Sequence, residues 1–353
     1  MTRDRIRGAL VGAAIGDAAG WPSGRHRAVL LAPWTRRLGR ELDAFAEEHA
    51  VTALPVPFAL NQPPAPLALG PSDDAEWIAW TARTMDTDRA AAFTGLAGAE
   101  GVRSRISVRT ALDGLARGLR PPVTGHDNPH HFDDAAAVRA VAFGAACAGD
   151  PAAAAGRARA DAEVTNALDG VAAARAVAAA VAAAAGGGGA EEAVAAALAE
   201  LPPGTAAGDT AREALAVAGA HPGDPFGCVA DLEPVVCDHV YSYGVAAADT
   251  LPAALALVAA SGGRVGPAVG AAACIAPLAD SLPALAGALA GALSGYSALP
   301  GAWRERCRTL AGCCLPETAG LDLVALADAL ADRSPSGGDG PGPDQPEQHE
   351  GAR

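Results

Sequence analysis

The stretch Gly8-Ala-Leu-Val-Gly-Ala-Ala-Ile-Gly16, close to the N-terminus, gives the first indication of the fold. Its glycines recur every four residues, and residues four apart lie on the same face of a helix. A helix over residues 4–19 would therefore present a smooth stripe against which a second helix can pack closely. The stretch predicts a helical fold with at least one very close helix pair.

The composition of the 353 residues extends this prediction to the whole chain. Half of the residues are hydrophobic, but aromatic residues make up only 4%, and alanine supplies most of the apolar total. Alanine is the strongest helix former, and no segment alternates β-branched with polar residues as a strand would. The sequence predicts an all-α fold, a compact bundle of many helices in one domain over residues 1–332.

Proline and glycine punctuate the predicted helices. A proline-rich stretch over residues 54–71 excludes regular helix, and Gly186–Gly189 and Pro202–Gly204 mark further breaks. Residues 333–353 are polar and rich in proline and glycine, so a disordered tail is predicted. Helices are predicted near 4–19, 73–85, 88–98, 107–118, 134–148, 151–184, 190–200, 208–219, 245–260, 266–276, 283–294, 301–311 and 320–332.

Charge and cysteine content exclude several classes of function. The net charge is −14 and the pI about 4.9, so the chain lacks the basic surface that nucleic acid requires. The seven cysteines include no Cys-x-x-Cys pair, which favours reduced thiols in a cytoplasmic protein. The N-terminal segment lacks a cleavage pattern, and the long apolar stretches favour buried helices over membrane spans.

Three short polar stretches interrupt the alanine-rich background. They are Gly16-Asp17-Ala-Ala-Gly-Trp-Pro22, Ser72-Asp73-Asp74-Ala-Glu76 and Asp280-Ser281. Carboxylates and hydroxyls at helix starts are the oxygen ligands that Mg²⁺ prefers, and a bound Mg²⁺ can orient substrate hydroxyls and water. The residue types therefore suggest a magnesium site formed by two helix N-termini.

Helix capping is the alternative interpretation of the same residues. Asp73 with Glu76 three positions later has the spacing of a capping box. Asp280 and Ser281 before Pro283 have the pattern of an N-cap followed by proline in the first turn. Spacing alone favours capping.

The order of the motifs along the chain resembles one known family. Arg5-Ile-Arg-Gly-Ala-Leu-Val-Gly-Ala-Ala-Ile-Gly-Asp-Ala-Ala-Gly-Trp-Pro22 resembles the opening of ADP-ribosylglycohydrolase family proteins. Ser72-Asp73-Asp74 is similar to the family's Thr-Asp-Asp element, and Thr250-Leu-Pro-Ala-Ala-Leu255 fits the pattern further on. Leu278-Ala-Asp-Ser-Leu-Pro-Ala-Leu-Ala-Gly-Ala-Leu-Ala-Gly-Ala292 resembles its C-terminal signature. The resemblance runs from about residue 4 to about residue 315.

This resemblance implies an orthogonally packed helical domain with one or two Mg²⁺ ions in a cleft. Family members typically hydrolyse the N- or O-glycosidic bond at ribose C1 of ADP-ribose. The substrate would be an ADP-ribosylated side chain or a nucleotide-derived small molecule, with Asp73 and Asp74 catalytic. The implied metal ligands are Ser72, Asp73, Asp74, Asp280 and Ser281.

Several positions depart from the family pattern. Leu278 stands where the signature has a carboxylate, which weakens one metal site, and Gly24 stands where some members carry a catalytic glutamate. The family's Asn-Gly-x-x-Met-Arg element is Asp134-Ala-Ala-Ala-Val-Arg139 here, and its Thr-His pair is Thr165-Asn166. Together these changes indicate an altered or lost activity.

Two polar islands supply further candidates. His126, His130 and His131 lie among Asp127, Asp133 and Asp134, and Tyr241 and Tyr243 follow Asp238-His239. An exposed loop and core tyrosines are the alternatives. The predicted substrate contacts are Asp17, His131, Asp134, Tyr241 and Tyr243.

Three functions therefore stay open. The first is a Mg²⁺-assisted hydrolase of an ADP-ribosyl bond. The second is a pseudoenzyme that binds ADP-ribose or a related nucleotide without turnover. The third is a helical protein in which the motifs only cap and pack helices; the retained Asp73, Asp74 and Asp280 favour the first two.

Overall fold

The computed structural model describes residues 1–20, 67, 70–237 and 245–333, and within them it contains helices and no strand. The all-α prediction is confirmed. Two isolated β-bridges join Asp133 to Ala246 and Thr309 to Asp322. The helices are α1 Thr2–Ala19, α2 Asp73–Thr84, α3 Arg89–Thr94, α4 Ile106–Ala116, α5 Val123–His126, α6 Ala135–Ala146, α7 Pro151–Thr165, α8 Asp169–Gly186, α9 Ala190–Ala199, α10 Ala206–Ala220, α11 Pro225–Val236, α12 Ala247–Ala260, α13 Val265–Cys274, α14 Leu282–Ser294, α15 Gly301–Cys307 and α16 Leu323–Arg333.

The pair formed by α1 and α14 lies at the centre of the molecule. A Cβ atom on Gly8, Gly12 or Gly16 would overlap the backbone carbonyl of Gly291, Gly287 or Pro283, respectively. The predicted smooth stripe is therefore confirmed as a glycine-mediated helix contact. Because the register runs antiparallel, the C-terminal end of α1 meets the N-terminal end of α14, which brings Asp17 towards Ser281.

The core around this pair consists mainly of alanine with a few larger side chains. Ile6, Leu10 and Ile15 of α1 are at most 1% exposed, and α8 packs against α6, α7 and α9. Among the described helices, α8 alone is long and apolar enough to cross a membrane, and 67% of it is buried. A buried core helix meets the same criteria of length and composition.

Two predictions about helices are wrong. The single helix predicted over 151–184 is two helices, because the chain turns at Asn166–Leu168, where Leu168 has φ 49°. Helix α11 was not predicted because its two prolines suggest a break. Pro225 occupies the first turn, where no helical N–H is needed, and Pro234 lies in the last turn. The other predicted helices lie within a few residues of the observed ones.

The cysteines and the C-terminal tail were the subject of two further predictions. All seven cysteines are free, and the adjacent Cys313 and Cys314 sulfur atoms are 3.9 Å apart. The predicted tail falls outside the described residues, apart from Arg333 at the end of α16.

Candidate functional site

Asp17 connects the central helix pair to the start of α2. Its Oδ2 accepts hydrogen bonds from the backbone N–H of Ser72 at 2.7 Å and of Ala75 at 3.1 Å. Its Oδ1 accepts from the Ser72 hydroxyl at 3.0 Å. The side chain is fully buried. Asp17 thus caps α2 from another helix and fixes the position of Ser72, while its predicted contact with substrate stays a prediction.

The capping-box interpretation of α2 is wrong. Ser72 is the N-cap residue and makes no side-chain cap bond. Glu76 turns away and accepts backbone N–H bonds from Cys313, Cys314 and Leu315 at 2.7 to 2.8 Å. Because Glu76 is used elsewhere, Asp73 and Asp74 take no part in a reciprocal cap.

Asp74, Asp280 and Ser281 meet at the junction of α2 and α14. The Ser281 hydroxyl donates to Asp74 Oδ1 at 3.3 Å, and Ser281, as N-cap of α14, makes no side-chain cap bond. Asp73 and Asp74 are 8% and 2% exposed. The structure therefore brings together residues from both of the predicted metal-ligand motifs, which are far apart in the sequence.

Arg105, the residue before α4, lies in the middle of these carboxylates. Its Nη1 is 2.8 Å from Asp280 Oδ2, its Nε is 3.2 Å from Asp134 Oδ1, and its Nη2 donates to the Ser281 hydroxyl. The Arg105 side chain is 14% exposed. One guanidinium thus contacts three elements of the site at once.

The carboxylates outnumber this guanidinium, and the pKa values reflect it. Burial raises the pKa of Asp74 well above its usual range, and the neighbouring Asp73 raises it further. Burial also raises the pKa of Asp134, to about 7, although Arg105 opposes the shift. Burial lowers the pKa of Arg105, but Asp134, Asp280 and Asp74 outweigh it and hold that pKa well above its usual value.

A buried network behind the site reaches Asp133, the neighbour of Asp134. Arg139 donates to Asp161 at 2.8 Å and to the Thr165 hydroxyl at 2.8 Å, and that hydroxyl donates to Asn166 Oδ1 at 2.6 Å. The Asn166 amide donates to the backbone and side chain of Asp133 at 2.9 and 3.0 Å. The altered Thr165-Asn166 pair therefore anchors the turn that precedes α6.

A cavity of about 10 Å³ opens between the two arginines and the acidic residues, about the room of one water molecule. Asp74 Oδ2, Asp134 Oδ2 and Arg139 Nη1 are buried without a hydrogen-bond partner among the described residues, whereas Asp134 Oδ1 forms the ion pair with Arg105. Such atoms point to a bound molecule or ion. The cavity is lined by Asp73, Asp74, Trp77, Arg105, Val108, Ala135, Val138 and Arg139.

The histidines and tyrosines of the polar islands have separate outcomes. His131 Nδ1 donates to the Asn128 carbonyl at 2.9 Å, and its ring packs edge-on against Phe132. His131 does not line the cavity described above. Tyr241, Tyr243 and Gly24 lie outside the described residues.

The predicted magnesium ligands form two groups, and only the group of Ser72, Asp73 and Asp74 suits a magnesium ion. Around Ser72, Asp73 and Asp74 there is a hydroxyl, two carboxylates and the unpartnered Asp74 Oδ2, which suit a hard cation. Around Asp280 and Ser281 the oxygens already contact Arg105, and the adjoining Leu278 is fully buried and apolar.

Comparison with known proteins extends these observations. The family model described as ADP-ribosylglycohydrolase matches residues 1–339. The chain belongs to the ADP-ribosylglycohydrolase family. A solved structure titled "ADP-ribosylglycohydrolase-related protein complex" is similar over 94% of this chain and 99% of that chain, with a TM-score of 0.58 and 20% identity. No curated protein matches the chain.

Membership in this family supports a hydrolase of the ADP-ribosylglycohydrolase type. The solved structure, at 20% identity, supports the fold alone. The assignment agrees with the resemblance identified in the sequence, which covered nearly the same residues.

Arg105 is the main residue that sequence reasoning missed. It follows Val102-Arg-Ser104, a polar stretch typical of a solvated loop. The only signal was indirect: Asp280 and Ser281 persist beside Leu278, and a retained buried carboxylate needs a positive partner.

Proposed function

We propose that this family member hydrolyses the N- or O-glycosidic bond at ribose C1 of an ADP-ribosylated side chain or a nucleotide-derived small molecule. The observation that carries the proposal is the convergence of four carboxylates around the Arg105 guanidinium. Asp73 and Asp74 come from α2, Asp134 precedes α6 and Asp280 precedes α14. Capping does not account for this set, because neither Ser72 nor Ser281 makes a side-chain cap bond.

The chemistry of the bond explains why carboxylates are useful here. When the bond between C1 and the leaving nitrogen or oxygen breaks, positive charge develops on the ribose ring. Carboxylates held in a poorly solvated site stabilise that charge more strongly than water would. The water oxygen forms the new bond to C1, and one water proton ends on the leaving group.

Asp73 is the carboxylate best placed to contact substrate or water. It lines the cavity, and at 8% it is more exposed than Asp74 or Asp134. Asp17 supports this position by holding the Ser72 backbone and hydroxyl. We assign Asp73 the role of orienting the attacking water, and Asp74 the role of stabilising charge beside it.

A magnesium ion, if bound, would be held by Ser72, Asp73 and Asp74. It would supply a positive centre that orients ribose hydroxyls and water. We propose this half of the donor set as the magnesium site, because Asp74 Oδ2 is buried there without a partner among the described residues.

Binding without turnover is the second candidate function. The observation that favours it is Leu278, which is fully buried in the signature where the family has a carboxylate. A protein of this kind would retain the carboxylates that bind ribose but would hydrolyse the glycosidic bond slowly or not at all.

One pair of measurements tests the proposal. Thermal unfolding with ADP-ribose, with and without Mg²⁺, reports binding, because a ligand of the folded state raises its apparent stability. Release of ADP-ribose from ADP-ribosyl-arginine and ADP-ribosyl-serine peptides reports hydrolysis of N- and O-linked bonds. Asp73→Asn should abolish release, whereas the exposed control Asp113→Asn should not.

Each result has a distinct meaning. Release that depends on Asp73 supports the hydrolase. Stabilisation by ADP-ribose without release from either peptide supports the binding protein. Neither stabilisation nor release would contradict both candidates.

A further inference from the structure

We infer that the Arg105 guanidinium is the resident cation of the half-site formed by Asp280 and Ser281, and that it excludes a divalent metal ion from that half. The inference deepens the proposed function and relies on it for the identity of the site. It limits the metal requirement of the protein to, at most, the half formed by Ser72, Asp73 and Asp74.

The guanidinium of Arg105 has the geometry of a bridging cation. Its three nitrogens each reach a different partner: Nη1 contacts Asp280, Nε contacts Asp134 and Nη2 contacts the Ser281 hydroxyl. A guanidinium is planar, permanently charged and carries five fixed donors. It therefore satisfies several acceptors at once, as a bound metal ion would.

The half-site formed by Asp280 and Ser281 offers few oxygen ligands. Mg²⁺ requires a near-octahedral set of oxygens at short distances and gives up its waters reluctantly. The segment over residues 278–281 offers only Asp280 and Ser281 side chains, since Leu278 is apolar and fully buried. Both of these side chains already contact Arg105, so a metal ion there would have to displace a bound cation.

The space and the charge around Arg105 also disfavour a metal ion on Asp280. The cavity beside Arg105 has room for about one water molecule and is lined by Asp73 and Asp74, not by Asp280 or Ser281. A divalent ion on Asp280 would also lie close to a buried guanidinium, and in a poorly solvated site like charges repel strongly. Arg105 and a metal ion on Asp280 therefore exclude one another.

Binding of Mn²⁺, a paramagnetic stand-in for Mg²⁺, tests the inference without any turnover. Free Mn²⁺ is counted by electron paramagnetic resonance in titrations of the full chain. In the wild type, Asp280→Asn should leave Mn²⁺ affinity unchanged within about twofold, because Asp280 is not a ligand. Mn²⁺ binding by the wild type that Asp280→Asn removes would overturn the inference.

Removal of the guanidinium gives the converse test. Arg105→Ala should bind Mn²⁺ about tenfold more tightly, or at one additional site, because Asp280 and Asp134 lose their positive partner. Adding Asp280→Asn to Arg105→Ala should remove that gain. Arg105→Lys keeps the charge and should show no gain, and the exposed Arg109→Gln, on the helix that follows Arg105, serves as the control.

If Arg105→Ala binds no more Mn²⁺ than the wild type while its circular dichroism is native, the inference is wrong. If Arg105→Ala does not fold, the wild-type comparison with Asp280→Asn still decides the question. Because these titrations contain no ADP-ribose, their failure is separate from failure of the proposed function, which the peptide and ADP-ribose measurements detect.

Discussion

Two buried clusters of arginine and aspartate lie beside the N-terminal half of α6, and they differ in the ratio of the two residue types. In the first, Asp161 of α7 lies between Arg89 and Arg139. In the second, Arg105 lies among Asp74, Asp134 and Asp280. Arg139 belongs to α6 and Asp134 is its N-cap, so one helix connects the two.

The first cluster has two guanidinium groups for one carboxylate, and both oxygens of that carboxylate are hydrogen-bonded. Asp161 Oδ1 accepts from Arg89 at 2.7 and 2.9 Å, and Oδ2 accepts from Arg139 at 2.8 Å. Burial alone would raise the pKa of Asp161, but the two guanidinium groups outweigh it and lower that pKa. Such a cluster stabilises the fold.

The second cluster has too few cations and leaves oxygens of Asp74 and Asp134 without hydrogen-bond partners among the described residues. The pKa values of both aspartates are raised. Buried groups that are left unbalanced in this way are typical of functional sites. The comparison teaches that the charge ratio, rather than the presence of buried ion pairs, separates the structural cluster from the functional one.

The largest expected effect concerns the cluster around Asp161. Asp161→Asn should lower the free energy of unfolding by about 3–5 kcal/mol, because it leaves two buried guanidinium groups without a carboxylate. Urea denaturation followed by circular dichroism measures the change. The exposed Asp113→Asn should stay within about 0.5 kcal/mol of the wild type. Equal stability of the two variants would remove the distinction between the clusters.

The second prediction concerns the cluster around Arg105. Asp73→Asn should lower ADP-ribose release about 100-fold or more while changing the free energy of unfolding by only about 1 kcal/mol. The reason is that Asp73 lines the cavity and lies in an excess of negative charge. Initial rates and urea denaturation measure the two quantities. A loss of stability as large as that of Asp161→Asn would assign Asp73 a structural role.

The third prediction sets the pH dependence of the two clusters against each other. The folded-state pKa of Asp161 lies below its ordinary value of 3.8, so its stabilisation is present above that pH and is lost as the pH falls through the folded-state pKa. Asp134, whose pKa is raised to about 7, behaves in the opposite sense. The contribution of Asp134 to the free energy of unfolding is fully present below pH 3.8 and is lost as the pH rises through about 7.

Urea denaturation across this pH range measures both slopes. Asp134→Asn should remove part of the fall in stability between pH 4 and pH 7, and Asp161→Asn should flatten the acid limb below pH 4. If both variants flatten the same limb, the two clusters do not differ in their protonation.

The smallest expected effect sharpens the comparison within the site. Ser281→Ala removes a hydroxyl that contacts Arg105 and Asp74, so the free energy of unfolding should fall by about 1 kcal/mol. Thermal unfolding measures this, with the exposed Ser297 hydroxyl, removed as Ser297→Ala, for comparison. An effect of several kcal/mol would indicate that the hydroxyl holds more than a neutral hydrogen bond.

The all-α class, the close helix pair and the family were predictable from the amino-acid sequence. The glycine stripe acts between residues four apart, and alanine acts through local helix propensity, so both are legible without a structure. The paired motifs around Asp73, Asp74 and Asp280 were legible for another reason, namely their order and resemblance to a family. The break in the helix at Asn166–Leu168 could not be predicted from the sequence, because Asn166 there forms hydrogen bonds with Asp133, which is distant in the sequence.

The partners of several buried polar side chains became known from the packing of the helices alone. Asp17 caps a helix from another element, Glu76 binds the backbone of residues 313–315, and Arg105 contacts Ser281, which is 176 residues away in the sequence. A charged side chain carries no periodic signal that names its partner. Its role follows from which carboxylates the packing of α2, α6 and α14 places around it, since in a poorly solvated interior those neighbours set its energy.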